Sequence, residues 1–201
     1  MTDVLERIQR IYAALDEVIT RDPAQFGATS TPRPWGLSVD FSGGLSPAQL
    51  QNRAMQVVYL VAHLPDHLRA WAKHRGLDPN QIDNAVSSSE ELKILIDLSD
   101  ADKHGGERRD RGRSGLGPRL RGVARALRLE GGSPASITVT VRGSGAELTE
   151  VESNFAAEIS GEVVDAAGTH IGDLMQLVTT GLSTLESLLS RLQAEEGELR
   201  P

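Results

Sequence analysis

Cysteine is absent from the 201 residues, which excludes disulfide frameworks, thiolate nucleophiles and sulfur-ligated zinc or iron–sulfur sites. Any metal must therefore use His, Asp or Glu. Aromatic residues are scarce at 3%, too few for a platform that stacks the bases of single-stranded nucleic acid. No apolar run nears the roughly 18 residues of a membrane span. The N-terminal Met-Thr-Asp-Val-Leu-Glu-Arg-Ile alternates charge with aliphatic residues and lacks the core of a secretory signal. The expectation is a cytoplasmic protein with no membrane partner. An excess of positive charge is missing too, and a net charge of −7 argues against a basic nucleic-acid coat protein.

What is present is a charge imbalance along the chain. Residues 103–128 hold nine Lys or Arg, among them Arg108, Arg109, Arg111 and Arg113, against Glu107 and Asp110, for a local net of +7 that leaves −14 elsewhere. Much of the negative charge follows residue 146. Two consequences are open: an anion- or partner-binding patch, or basic and acidic strands lying side by side and neutralising each other.

Apolar periodicity predicts an α+β fold, a bundle of about four helices with a small antiparallel sheet inserted before the last, in one domain spanning 1–201. A first helix reaches about Ile19, followed by an irregular connection over 22–46 with Pro23, Pro32, Pro34, Phe26, Trp35 and Phe41. Ser46-Pro47 reads as an N-cap and first helical residue. The helix it opens carries a Val57, Val61, Leu64, Leu68, Trp71 seam to about Arg75, with Pro65 inside it. A connector over 77–86, in which Asp78-Pro79 could begin a short turn, leads to a helix capped by Ser87–Ser89 and ending near His104, so the helical part is 1–104. A basic loop, 105–122, follows. Its Gly112, Gly115 and Gly117 lack the preceding strand and Gly-Lys-Ser/Thr ending of a phosphate loop, and so read as a flexible segment. Strands over 123–166 would form a meander, and a C-terminal helix over 168–195 has a leucine-rich face broad enough for a core or a homodimer.

Two polar stripes provide the candidate chemistry: His63, His67 and His74 on one helix, Asp97, Asp100 and His104 on the next. Antiparallel packing about a turn near Ile82 would set His67 level with Asp97 and His63 with Ala101. Converged, His63, His67, Asp97 and Asp100 could hold a divalent metal, as a hydrolase would require. Without a metal, a carboxylate such as Asp66 or Asp97 could orient an imidazole as a general base, or the cluster could be a structural network.

Arg69-Ala70-Trp71-Ala72-Lys73-His74 resembles the HEPN family, helical bundles with an Arg and a His at such spacing in a ribonuclease site, usually at a dimer interface. The resemblance implies Arg69 as a phosphate-binding group and His74 as a proton-transfer group, with RNA held by the Arg-rich segment. Ala70 departs from the polar residue that the family generally places there. The stretch from His63 to Trp71, with Lys103-His104 downstream, is similar to uncharacterised bacterial helical-bundle proteins with a His-x-x-Asp-x-x-x-x-Trp helix and a Lys-His helix end. That likeness implies a fold and no established reaction. The sequence alone favours a non-catalytic binding protein, contacting a protein partner or an anionic ligand through Arg108, Arg109, Arg111 and Arg113. A metal-independent ribonuclease and a metal-dependent hydrolase stand as the alternatives, so enzyme status stays open.

Overall fold

The first helix, α1 (Val4–Val18), forms because Val4, Ile8, Ile11, Leu15 and Val18 recur at three- and four-residue steps, and all five are buried. The computed structural model describes residues 4–20, 27–32, 35–40, 42–105, 111–129, 136–142, 145–152 and 155–199. Arg108 and Arg109 lie outside the described residues, as do Phe26 and Phe41. The architecture is α+β, with five described helices and strand segments before the last helix.

Contacts divide the chain into two compact units: Met1–Leu15, Met55–Gly122 and Gly161–Pro201 form one, Asp16–Ala54 and Val123–Ser160 the other. The helix α2 (Pro47–Arg75) opens as expected. Ser46 Oγ accepts the Gln49 N–H at 3.3 Å while Gln49 Oε1 accepts the Ser46 N–H at 2.8 Å, a reciprocal capping box. The predicted seam Val57, Val61, Leu64, Leu68 and Trp71 is buried throughout, and α2 continues through Pro65 to Arg75.

The connector expected over 77–86 is instead a helix, α3 (Asn80–Ser88), which buries Ile82 and Val86. Asp78-Pro79 marked its start, and only its length, an amphipathic pair of turns, went unread. Helix α4 (Glu90–Lys103) follows at once, capped by Ser89, whose hydroxyl accepts the Leu92 N–H at 3.2 Å. The closing helix α5 (Leu174–Leu199) puts Leu174, Val178, Leu182, Leu185, Leu188 and Leu192 into the core of the first unit. Its breadth is thus taken up internally. A Cβ added at Gly181 would lie 3.0 Å from Leu95 and 3.2 Å from Leu92, so this glycine lets α4 and α5 approach closely.

The strands depart from the expected meander. After a two-residue β1 (Ile19–Thr20), the connection expected to be irregular holds β2 (Gly27–Pro32) and β3 (Trp35–Asp40), paired antiparallel with Pro32 opposite Trp35. Later come β4 (Arg119–Leu129), β5 (Ser136–Arg142), β6 (Gly145–Glu152), β7 (Phe155–Val164) and β8 (His170–Asp173). One sheet runs β3-β2-β6-β5; in the other, β7 lies between β1 and β4 and also pairs with β8. Turn residues correctly marked the β5–β6 hairpin. Alternation, however, fixes which face a residue occupies and not which strand lies alongside, so the pairing of β6 with β2 was invisible. Strand β4, which carries Arg119, Arg121 and Arg125, lies beside β7, which carries Glu158 and Glu162, the side-by-side placement of basic and acidic strands that the charge pattern allowed.

Candidate functional site

All of the described site lies in the first unit, where α2, α4 and the Arg-rich loop bring their polar groups together. Asp97 is 2% exposed. Burying a carboxylate so completely is costly unless hydrogen bonds satisfy its oxygens. Here the loop supplies them. Asp97 Oδ1 accepts the Arg113 N–H at 2.7 Å, and Oδ2 accepts the Ser114 N–H at 2.8 Å and the Ser114 hydroxyl at 2.6 Å. Successive backbone N–H groups thus form an anion nest around a carboxylate of the protein itself.

The glycines make that nest possible. Gly112, at φ +76°, passes so close to Asp97 that a Cβ would fall 2.3 Å from the carboxyl carbon. Gly115 N–H donates to the Gly112 carbonyl at 3.3 Å, Gly117 N–H to the Arg111 carbonyl at 2.9 Å, and Ala166 N–H to the Leu116 carbonyl at 3.0 Å. Over 111–118 the segment expected to be flexible is a hydrogen-bonded loop closed by the buried Pro118. It leaves Arg111 and Arg113 exposed, with Arg119 and Arg121 exposed on the strand that follows.

A second edge joins α2 to α4. Lys103 Nζ donates to His63 Nε2 at 2.5 Å, which leaves the His63 Nδ1–H facing Asp66 Oδ2 at 3.5 Å. The Tyr59 ring stacks on His63, its centroid 6.5 Å away, and Lys103 Nζ sits 5.7 Å from the centre of the same ring. The Tyr59 hydroxyl donates to Asp102, and that bond is the main reason its pKa is pushed up to about 12, with burial and the Asp102 charge adding to it. Arg69 is held twice, by Asp66 at 2.5 Å and Asp83 at 2.7 Å. Between the helices, His63, Asp66, Arg69, Ser99, Asp100 and Arg113 line a cleft of about 100 Å³. Ser99, 1% exposed, has no hydrogen-bond partner for its hydroxyl among the described residues.

This geometry corrects the expected metal shell of His63, His67, Asp97 and Asp100. No group of three or more His, Asp or Glu suited to an ion occurs among the described residues. The antiparallel register lies within two or three residues of the expected one, with His63 meeting Lys103. The faces differ. Asp97 turns its oxygens to the loop, and His67 lines a cavity against α1 instead of α4. Burial and then the Arg7 charge lower the His67 pKa. Asp97 is also removed as an orienting partner for an imidazole, and the base position of His63 is occupied by Lys103.

His104 caps the end of α4, exposed, its N–H bonded to the Asp100 carbonyl at 3.1 Å. His74 is exposed in the last turn of α2, while Arg69 is engaged by its two carboxylates. Sequence reasoning missed Ser114, Tyr59 and Arg7. Only the glycine spacing around Ser114 carried any signal, because the others are single residues with no motif about them. No described helix is long and apolar enough to cross a membrane. No protein-family model, curated protein or solved structure matches this chain.

Proposed function

We propose that the chain is a non-catalytic cytoplasmic binding protein whose Arg-rich loop contacts an anionic ligand, RNA included, or the acidic surface of a protein partner. The observation that carries this is the Asp97 nest: a buried carboxylate accepts two backbone N–H groups and a hydroxyl from the loop, fixing the backbone from which Arg111 and Arg113 project. A loop fixed before binding loses less conformational freedom when it meets a ligand, so its guanidiniums act at lower entropic cost. Arginine suits the task because its planar fork donates to carboxylate or phosphate in pairs.

On this reading His63, Asp66 and Asp97 serve as scaffold: His63 is held by Lys103 and Asp66, and Asp97 by the loop. Replacing Arg109, Arg111 and Arg113 together with Ala should abolish capture of an anionic partner while leaving the thermal midpoint nearly unchanged. With an RNA oligonucleotide as probe, the slope of log affinity against log salt should fall by about one for each phosphate-contacting arginine lost. Equal capture by the triple variant would overturn the proposal. Cleavage of the RNA that disappears in His74→Ala would favour the ribonuclease alternative instead.

A further inference from the structure

Helices α1 and α2 enclose a cavity of about 280 Å³ lined by Arg7 and Arg10 from α1 and by Tyr59, Leu60, Leu64 and His67 from α2, with His63 at one side. No acidic residue lines it among the described residues. Arg10 is already neutralised by Glu6 at 2.5 Å, and His63 by Lys103 and Asp66 has its nitrogens occupied. Arg7 and His67 differ: neither forms a hydrogen bond or ion pair with a described residue. A half-buried guanidinium and an imidazole thus share one cavity with donors that no described residue engages, beside the apolar side chains of Leu60 and Leu64.

We propose that this cavity binds a small organic monoanion, a carboxylate on a compact apolar body, with its charge between Arg7 and His67 and its body against Leu60, Leu64 and the Tyr59 ring. The chemistry selects that class. A cation would meet Arg7 and His67 with no carboxylate in the lining to receive it, a neutral alkane would leave both donors unsatisfied, and a large polyanion exceeds the space. The site is independent of the Arg-rich loop, which contributes no residue to it.

Proton uptake should accompany binding. Burial, the Arg7 charge and His63 hold His67 toward its neutral form, against an opposing pull from Asp66, while Arg10 is offset by Glu6. A bound carboxylate compensates Arg7 and accepts from the protonated imidazole, so affinity rises as pH falls from about 8 to about 6.

The test is titration of the full chain with hexanoate, followed by the His67 ring resonances in NMR, with hexan-1-ol as the uncharged control. Saturable binding of hexanoate, a raised His67 titration midpoint in its presence, and a loss of about tenfold or more in Arg7→Gln are expected. Arg111→Ala/Arg113→Ala should bind hexanoate as the wild type does, which separates this site from the loop. The proposal is overturned if hexan-1-ol binds as tightly, if Arg7→Gln retains full affinity, or if the wild-type His67 resonances stay unmoved at concentrations on the order of 10 mM. The last readout needs no variant and stands even if Arg7→Gln fails to fold.

Discussion

Asp66 and Asp97 occupy neighbouring helices of one unit, yet the Asp66 side chain is 64% exposed and residue Asp97 is 2% exposed. Asp66 meets an imidazole and a guanidinium that water also serves; Asp97 meets two backbone N–H groups and a hydroxyl with a carboxylate that is itself shut off from water. Formal charge is the same. What differs is the cost of leaving the partners unpaired, which is small in solvent and large in the interior. The α2–α4 edge is therefore an adjustable rim, and the Asp97 nest is a structural joint.

The sharpest way to break that contrast is Asp97→Ala. It should leave two partly buried N–H groups and a hydroxyl without their acceptor and lower stability by about 3 kcal/mol. Chemical denaturation gives the loss, and faster hydrogen exchange at Arg113 and Ser114 would localise it to the loop. A stability change near zero would mean that the nest does not organise the loop.

Gly112→Ala tests the same joint from the other side. Gly115 provides a control, since its φ of +73° nearly equals the +76° of Gly112 but no atom lies within 4 Å of its absent Cβ. Gly115→Ala should cost about 1 kcal/mol from backbone strain alone. Gly112→Ala adds displacement of the Asp97 carboxylate and should cost roughly 2–3 kcal/mol. Equal losses would show that proximity to Asp97 contributes nothing.

The contrast also explains what could be read from the sequence. The α2 seam, the Ser46 and Ser89 caps and the leucines of α5 were legible because each is a local pattern with one physical meaning. Strand partners were not, since β2 in the proline-rich connection pairs with β6 more than a hundred residues away and neither strand announces its neighbour. Asp97 was visible as part of a polar stripe bordering the apolar face of its helix. Its destination was not: a rotation of the stripe by a fraction of a turn decides between α2 and the loop. The same angular uncertainty sent His67 toward Arg7 in place of Asp97.

On the rim, the Tyr59–Asp102 bond should be visible as a titration. Because the folded pKa is raised from 10.0 to about 12, the contribution of this bond to stability is complete below pH 10 and is lost as pH climbs through about 12. In a Tyr12→Phe background, which leaves one tyrosine, phenolate absorbance should develop near pH 12, and Asp102→Asn should return the midpoint toward 10. A midpoint already near 10 would show that the hydroxyl is not held.

Asp66→Ala should have the smallest effect, and that smallness is itself informative. Removing Asp66 leaves Arg69 its second carboxylate, Asp83 at 2.7 Å, and leaves His63 bonded to Lys103. Water replaces the missing acceptor at little cost because the Asp66 side chain is 64% exposed. The expected loss is under about 0.5 kcal/mol by thermal or chemical denaturation. A loss comparable to that of Asp97→Ala would mean that the Asp66–Arg69–Asp83 chain braces α2 against α3, and the rim would then belong with the joint.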